Sequence, residues 1–504
     1  MSQLKKLASQ TVWYGLSNIA ARFIFFLQTP IVTYLLPDAK GQQAYGEFTI
    51  LYSGISLLNI LFTYGMETAY FRFAAKKEDP EKLFNTSVSA LLCSTICLSL
   101  LFIAFRAPIA RFIEQPDHPE YVTWAILIIA FDTLSAIPFA RLRQQGRPRM
   151  YAAIKIAGIL LNLLLTVFFL YFSARYITAH PDSAYAGWYQ GHSKSGLLLL
   201  PNVAQSALTL LLLSGEWKGF RLSVDKELLG RLWRFGSPMI IIGLGGMINE
   251  TMDRMMLLKL FPGDQEAAKI QVAVYGAAYR ISIFVTLFIQ AFRMSAEPFF
   301  FSQAEDRNAP SAYAQVMKWF VITLCIAFLF TSLYMDIWQY IISPSYRKGL
   351  YVVPVLLFAN LCLGVYYNLT AIFKVTDHMR QATLITLMGA AITLIINFRF
   401  IPEYGMQACA WATCICYFSM MVVAYWRAQR LFAVPYPVRT IGFYLGLMLC
   451  LFFIHYLSIP LIDNFLLRIV YSSLLFFAFG MTVLYRERST LSQLPFIGKY
   501  LSNK

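Results

Sequence analysis

Two sets of polar residues, embedded in otherwise apolar runs, carry most of the chemistry legible in this chain. Thr49, Tyr52, Ser56, Asn59, Thr63 and Glu67 recur at intervals of 3 or 4 residues, and so do Tyr279, Ser282, Thr286, Gln290, Arg293 and Glu297. That spacing places each set on one face of a helix. Hydroxyl, amide and phenol groups hydrogen-bond polyols, a guanidinium grips an anion through paired hydrogen bonds, and a carboxylate takes up a proton or a cation. Further ionisable groups stand in similar surroundings. Asn18 and Arg22 share one helix face. Asn249, Glu250, Asp253 and Arg254 form another group, in which Glu250 and Arg254 are spaced for an ion pair that leaves Asp253 without one. Arg280 lies one residue off the second stripe, while Asp132, Lys155 and Arg468 stand apart. Lys155 and Arg468 have the length to reach an interface. The stripes are either contacts between helices or the walls of a water-filled cleft; a polar stripe that runs a whole span twice, with Glu in both copies and Arg in the second, favours the cleft.

The elements that position these residues follow from composition. Of 504 residues 58% are hydrophobic and 13% charged, with mean hydropathy +0.57. A soluble domain carries roughly 25% charged residues, and a bilayer accommodates the excess apolar surface as spans of about 20 residues. Apolar runs bounded by charge, Pro and Gly predict about fourteen transmembrane helices at 9–36, 44–71, 83–105, 119–141, 150–173, 195–214, 235–260, 271–300, 312–335, 350–373, 381–401, 406–426, 438–457 and 464–485. The fold class is therefore an all-α integral membrane protein with short loops and no separate soluble domain. Met1–Lys6 is basic, but the apolar run after it continues to Leu36, longer than a signal peptide's core, and is taken as the first span.

Basic residues order the loops. Lys76, Lys77 and Lys82; Arg141, Arg143, Arg147 and Arg149; Lys218, Arg221, Lys226, Arg231 and Arg234; and Arg486 and Arg488 all fall on one side. The positive-inside rule then predicts both termini in the cytoplasm and an even span number. It also accounts for the net charge of +16 without a nucleic-acid partner. The eight cysteines lie within apolar runs and form no metal-ligand set with histidine, so no metal or cofactor is expected. Gly243-Leu244-Gly245-Gly246 lacks the βαβ context of a dinucleotide loop and marks either a bend or a close packing point.

Shifting the chain by 230 residues superposes Tyr45-Gly46 on Tyr275-Gly276, Glu67 on Glu297 and Phe71 on Phe301, and brings the two polar stripes nearly into register. Thr63 then corresponds to Arg293, and Arg22 falls one residue from Asp253. A duplicated six-helix unit follows, giving two parallel lobes related by an axis along the membrane normal. The expected domains are an N-terminal lobe over 1–214, a linker over 215–234, a C-terminal lobe over 235–430, and two extra helices over 438–486.

The segments Thr11–Asn18, Tyr45-Gly46-Glu47-Phe48 and Asn397–Ala408 resemble bacterial polysaccharide flippases of the multidrug, oligosaccharidyl-lipid and polysaccharide exporter superfamily. The resemblance covers essentially the whole chain through its architecture, and its motifs are individually short. It implies a polyprenyl-pyrophosphate-linked oligosaccharide as partner, carried across the inner membrane through a cleft between the lobes that opens alternately to each side. It places Arg22 with Arg280 or Arg293 as cleft arginines for the pyrophosphate, and the last two helices as a cradle for the lipid tail. Asn18, Tyr52, Asn59, Tyr279 and Gln290 are then the candidate sugar partners, and Glu67, Asp253 and Glu297 the carboxylates that would couple transport to H⁺ or Na⁺. The expected protein is a monomeric transporter, not an enzyme. Two alternatives stay open: a cation-coupled multidrug exporter of the same superfamily, which would favour an acidic cleft, and a membrane-bound polysaccharide polymerase or ligase, which would need a larger outside loop.

Overall fold

The structure, a computed structural model, describes residues 26–76, 78–302, 309–376 and 378–488. Among them every regular element is helical, as expected where lipid leaves backbone groups no partner but their own segment. In chain order they are α1 (26–35), α2 (Ala39–Thr63), α3 (Met66–Ala75), α4 (Pro80–Ala104), α5 (Arg106–Phe112), α6 (Pro119–Gln144), α7 (Pro148–Val167), α8 (Ala174–Ala179), α9 (Ala184–Gln190), α10 (Lys194–Leu212), α11 (Lys226–Leu260), α12 (Gln265–Ser302), α13 (Ala309–Leu333), α14 (Met335–Trp338), α15 (Val353–Val375), α16 (Met379–Tyr404), α17 (Met406–Leu431), α18 (Val438–Ser458) and α19 (Phe465–Arg486). Local sequence sets the ends. Asp79 caps α4 through Glu81 N and Lys82 N with Pro80 behind it, Asp225 caps α11 through Leu228 N, and Asn464 caps α19 through Leu466 N and Leu467 N.

Among the described residues eleven helices are long and apolar enough to cross a membrane, or 12 when the bent α12 counts as one span. Each coincides with a predicted span. α11 coincides with another, but Asn249, Glu250, Asp253 and Arg254 lower its hydropathy and keep it out of that count. The first predicted span lies mostly outside the described residues, so the structure does not test the number fourteen.

One predicted span is corrected. The run 44–71 is not a single helix. Tyr64 and Gly65 take left-handed conformations (φ 32° and 71°), end α2, and start α3. Glycine is demanded at 65, since a Cβ there would also lie 2.7 Å from Met239 Cβ and 2.8 Å from Gly236 O.

The chain forms two compact units. The first holds the described residues up to Arg280 together with Ile342–Val352 and Met379–Met420. Within it α6 is enclosed by α2, α3, α4, α7 and α10, and α11 packs along α2, α3 and α16. The second holds Ile281–Ile341, Val353–His378 and the described residues from Met421 onward. Within it α13 packs on α15, α18 and α19. The buried Lys318 of α13 donates to Glu487 Oε2 at 2.6 Å, and Tyr444 of α18 donates to Glu487 Oε1 at 3.1 Å, clasping both terminal helices to α13. Only 22% and 17% of the apolar windows of α18 and α19 are buried in the chain, so most of their surface is left for lipid.

Candidate binding and ion-coupling site

A buried set of charges lies in the first unit, where α11 meets the first half of α12. Asp253 and Arg254 are 1% and 7% exposed. Arg254 Nη1 donates to Asp253 Oδ1 at 2.9 Å, and the Tyr275 hydroxyl donates to Asp253 Oδ2 at 2.6 Å. The Arg254 guanidinium also lies 4.4 Å from the centroid of the Tyr279 ring and 5.6 Å from that of Tyr275. Tyr275 and Tyr279 are one turn apart on α12, so a single helix face supplies both rings. The cation is thereby balanced by one carboxylate and two aromatic faces, the arrangement a guanidinium needs away from water.

This geometry corrects the pairing expected within α11. Glu250 does not pair with Arg254 through its carboxylate; it is exposed and offers only its backbone carbonyl to Arg254 Nη1. Asp253, expected to be left over, takes the guanidinium instead, because it is the buried carboxylate within hydrogen-bond reach, whereas the exposed Glu250 acts on Arg254 only through its charge. As an ion-coupling candidate Asp253 is already occupied by Arg254 and Tyr275.

A second group adjoins it within the same unit. Arg280 interacts with the Tyr45 hydroxyl and lies close enough to Tyr52 for a direct electrostatic interaction. Tyr45 also packs edge-on to Tyr346 at 6.0 Å. α2 and α12 approach closely here, since a Cβ on Gly46 would fall 2.0 Å from Lys269 O, and one on Gly276 would fall 3.3 Å from Thr49 Cγ2. The two Tyr-Gly pairs that the internal repeat superposes thus mark one helix crossing. Beside it Lys269 Nζ reaches Glu47 Oε1 at 2.7 Å, and Ser195 donates to Glu47 Oε2 at 2.8 Å.

A model of the family described as "Polysaccharide biosynthesis protein" matches residues 7–303, more than half of the chain. The chain belongs to this polysaccharide biosynthesis family. Among solved structures, one described as lipid II flippase MurJ in an inward closed conformation is similar with a TM-score of 0.70 at 14% identity, covering 94% of this chain and 99% of that one. An inward-facing multidrug resistance MATE family transporter of the MOP superfamily gives 0.60 at 14% identity, covering 82% and 95%. The Vibrio cholerae MATE transporter VcmN gives 0.59 at 13% identity, covering 85% and 98%. At these identities the likeness establishes a shared fold and no more. A search of curated protein sequences finds no match.

In this family member the remaining predicted residues divide as follows. Glu67 is not part of a continuous α2 stripe. It sits in the first turn of α3, ion-paired with Arg143 of α6, whose guanidinium lies 4.5 Å from the Phe71 ring centroid. On α2 Tyr52 is half-buried, and the Asn59 side-chain oxygen is buried without a hydrogen-bond partner. Arg293 and Gln290 belong to the second unit, where the Arg293 guanidinium stacks 4.2 Å from the Tyr367 ring centroid. Asn18 and Arg22 lie outside the described residues, as does the side chain of Glu297. Tyr45 and Tyr275 were legible only as a repeat motif, and Lys318 with Glu487 gave no sequence signal, because 169 residues separate them.

Proposed function

We propose that this protein is a flippase of the cytoplasmic membrane that carries a polyprenyl-pyrophosphate-linked oligosaccharide from the inner to the outer leaflet by alternating access, with both termini in the cytoplasm. The observation that carries this reading, beside family membership, is the gathering of Arg254 and Arg280 with Tyr45, Tyr52, Tyr275 and Tyr279 at membrane depth. Arginines and phenols suit a pyrophosphate and the sugars behind it. Arg254 is neutralised by Asp253 and serves mainly to orient the tyrosines; Arg280 is the headgroup arginine of the first unit and Arg293 that of the second. The two six-helix lobes proposed from the repeat supply the moving parts, and the lipid-facing α18 and α19 accommodate the prenyl tail.

Deleting the gene tests this. The deletion strain should accumulate a polyprenyl-linked oligosaccharide on the cytoplasmic side, identifiable by mass spectrometry of extracted lipids, and complementation with Arg280→Ala should not clear it. Unchanged lipid-linked sugars together with altered tolerance to cationic drugs would transfer the assignment to multidrug export.

A further inference from the structure

We infer that Asp132, on α6 of the first unit, is the proton-carrying carboxylate that couples transport to a proton gradient; this rests on the transport reading above. Asp132 stands near the middle of the 26-residue α6. Of its neighbours one turn away on the same face, Ile128, Ile129 and Ser135 are buried and Ala136 is half-buried, yet Asp132 itself is exposed. α6 is enclosed by α2, α3, α4, α7 and α10. An exposed carboxylate among mostly buried neighbours, on a helix packed by five others, opens into an internal space rather than onto lipid.

Side chains from three other helices converge there. Ser206 of α10 lies beside the carboxylate, and Lys155 of α7 and Tyr52 of α2 are close enough to interact with it electrostatically. Lys155 does not form an ion pair with it. Its ammonium is held 5.3 Å from the Phe139 ring centroid and 5.5 Å from that of Tyr151, and Phe139 lies two turns along α6 from Asp132, about 10 Å. Tyr52 in turn connects Asp132 with Arg280, the arginine assigned to the cargo headgroup. The other packed helices add little charge at this depth. α4 carries only Cys93 and Cys97 beyond Lys82. On α3, Glu67 is paired with Arg143 near the far end of α6, and Arg72 lies 4.2 Å from the Phe235 ring centroid. α5, with Arg106 and Arg111, precedes the start of α6.

The chemistry is that of a proton site. A bound metal cation needs several oxygen ligands. Here one carboxylate, one serine and one phenol face a lysine, and no group of three His, Cys, Asp or Glu residues gathers among the described residues. Protonation turns Asp132 from an anion into a neutral acid, which is far cheaper to enclose. The loaded form therefore favours a closed packing around α6 and the ionised form an open one, so proton binding biases a two-state equilibrium. Of the other acids first considered, Glu67 and Asp253 each already hold an arginine.

The full chain reconstituted in proteoliposomes on a solid-supported membrane, with no glycolipid present, should give a transient charge movement after an acidic pH jump. Asp132→Asn should lose it, Asp132→Glu should keep it with a shifted pH midpoint, and Asp182→Asn, in an exposed loop, should leave it intact. An unchanged signal in Asp132→Asn, or a signal triggered by a Na⁺ jump instead of pH, overturns the proposal. If the Asn variant does not purify as a folded protein, an unshifted midpoint in Asp132→Glu overturns it equally. Because no cargo enters the assay, its failure leaves the glycolipid reading standing, and failure of the glycolipid reading leaves this result intact.

Discussion

On α2, Thr49, Ser53, Ser56 and Thr63 each donate to the carbonyl one turn back, on Tyr45, Thr49, Tyr52 and Asn59. On α12, Tyr275 donates across to Asp253 of α11, and Ser282 accepts from Asn360 of α15 at 3.4 Å. The two helices carry matched polar spacing, yet the Ser and Thr hydroxyls of α2 are spent on its own backbone, whereas α12 spends only Thr286 that way, on Ile283 O, and reaches neighbouring helices with Tyr275 and Ser282. Spacing identifies which face is polar; it does not identify what that face binds. Back-bonded Ser and Thr need neither water nor a partner helix, so of the α2 stripe it is Asn59, whose side-chain oxygen is buried without a partner, that keeps capacity for a ligand.

The largest break in this comparison should come from α11 and α12. Asp253→Ala leaves Arg254 buried beside two rings without its hydrogen-bonded counter-charge, a loss of about 3–5 kcal/mol. It should appear as a large drop in unfolding temperature of the detergent-solubilised protein. Changing Asp253 and Arg254 together to apolar residues should recover much of that loss, and equal instability of the single and double variants would show the pair is not the cause.

Next come the repeat-related glycines. Gly46→Ala drives a methyl into the Lys269 carbonyl and should cost about 1–3 kcal/mol as α2 and α12 are forced apart. Gly276→Ala meets only the Thr49 side chain, at 3.3 Å from Cγ2 and 3.5 Å from Oγ1, and should cost much less. Matching losses at the two sites would deny that Gly46 marks the tight crossing.

Smaller still is the reach of α12 into α15. A double-mutant cycle on Ser282 and Asn360 should show a coupling of about 0.6 kcal/mol, whereas Ser56→Ala on α2 should change stability by no measurable amount. A further small effect lies outside the spans. The hydrogen bond from Lys259 holds the Glu114 carboxyl below its usual range. A depressed carboxylate stabilises the fold above its unfolded-state value and loses that contribution as pH falls through the folded one. Glu114→Gln should therefore lower stability slightly at neutral pH, flatten the acid limb of the profile, and leave stability unchanged at pH values where the native carboxyl is already protonated.

The helix positions were legible because lipid demands long apolar runs, and α4, α6, α10, α13 and α16 to α19 answer to that demand directly. The break at Tyr64 was not, since a left-handed tyrosine leaves no mark in hydropathy. The pairing within α11 was misjudged because a four-residue spacing favours Glu250, whereas burial selects Asp253. Asp132 was visible as an isolated acid, but its significance needed the burial of Ile128, Ile129 and Ser135 around it, which depends on helices far away in sequence. The clasp of Lys318 on Glu487 is of the same kind.

The most direct test of the transport assignment uses proteoliposomes holding a polyprenyl-pyrophosphate disaccharide labelled on the sugar, with leaflet exposure read by a membrane-impermeant lectin. The account predicts that the intact protein equilibrates the sugar between leaflets and that Arg280→Ala, inserted and folded, does so far more slowly. Equal rates for the intact protein, the Arg280→Ala variant and protein-free vesicles would contradict it.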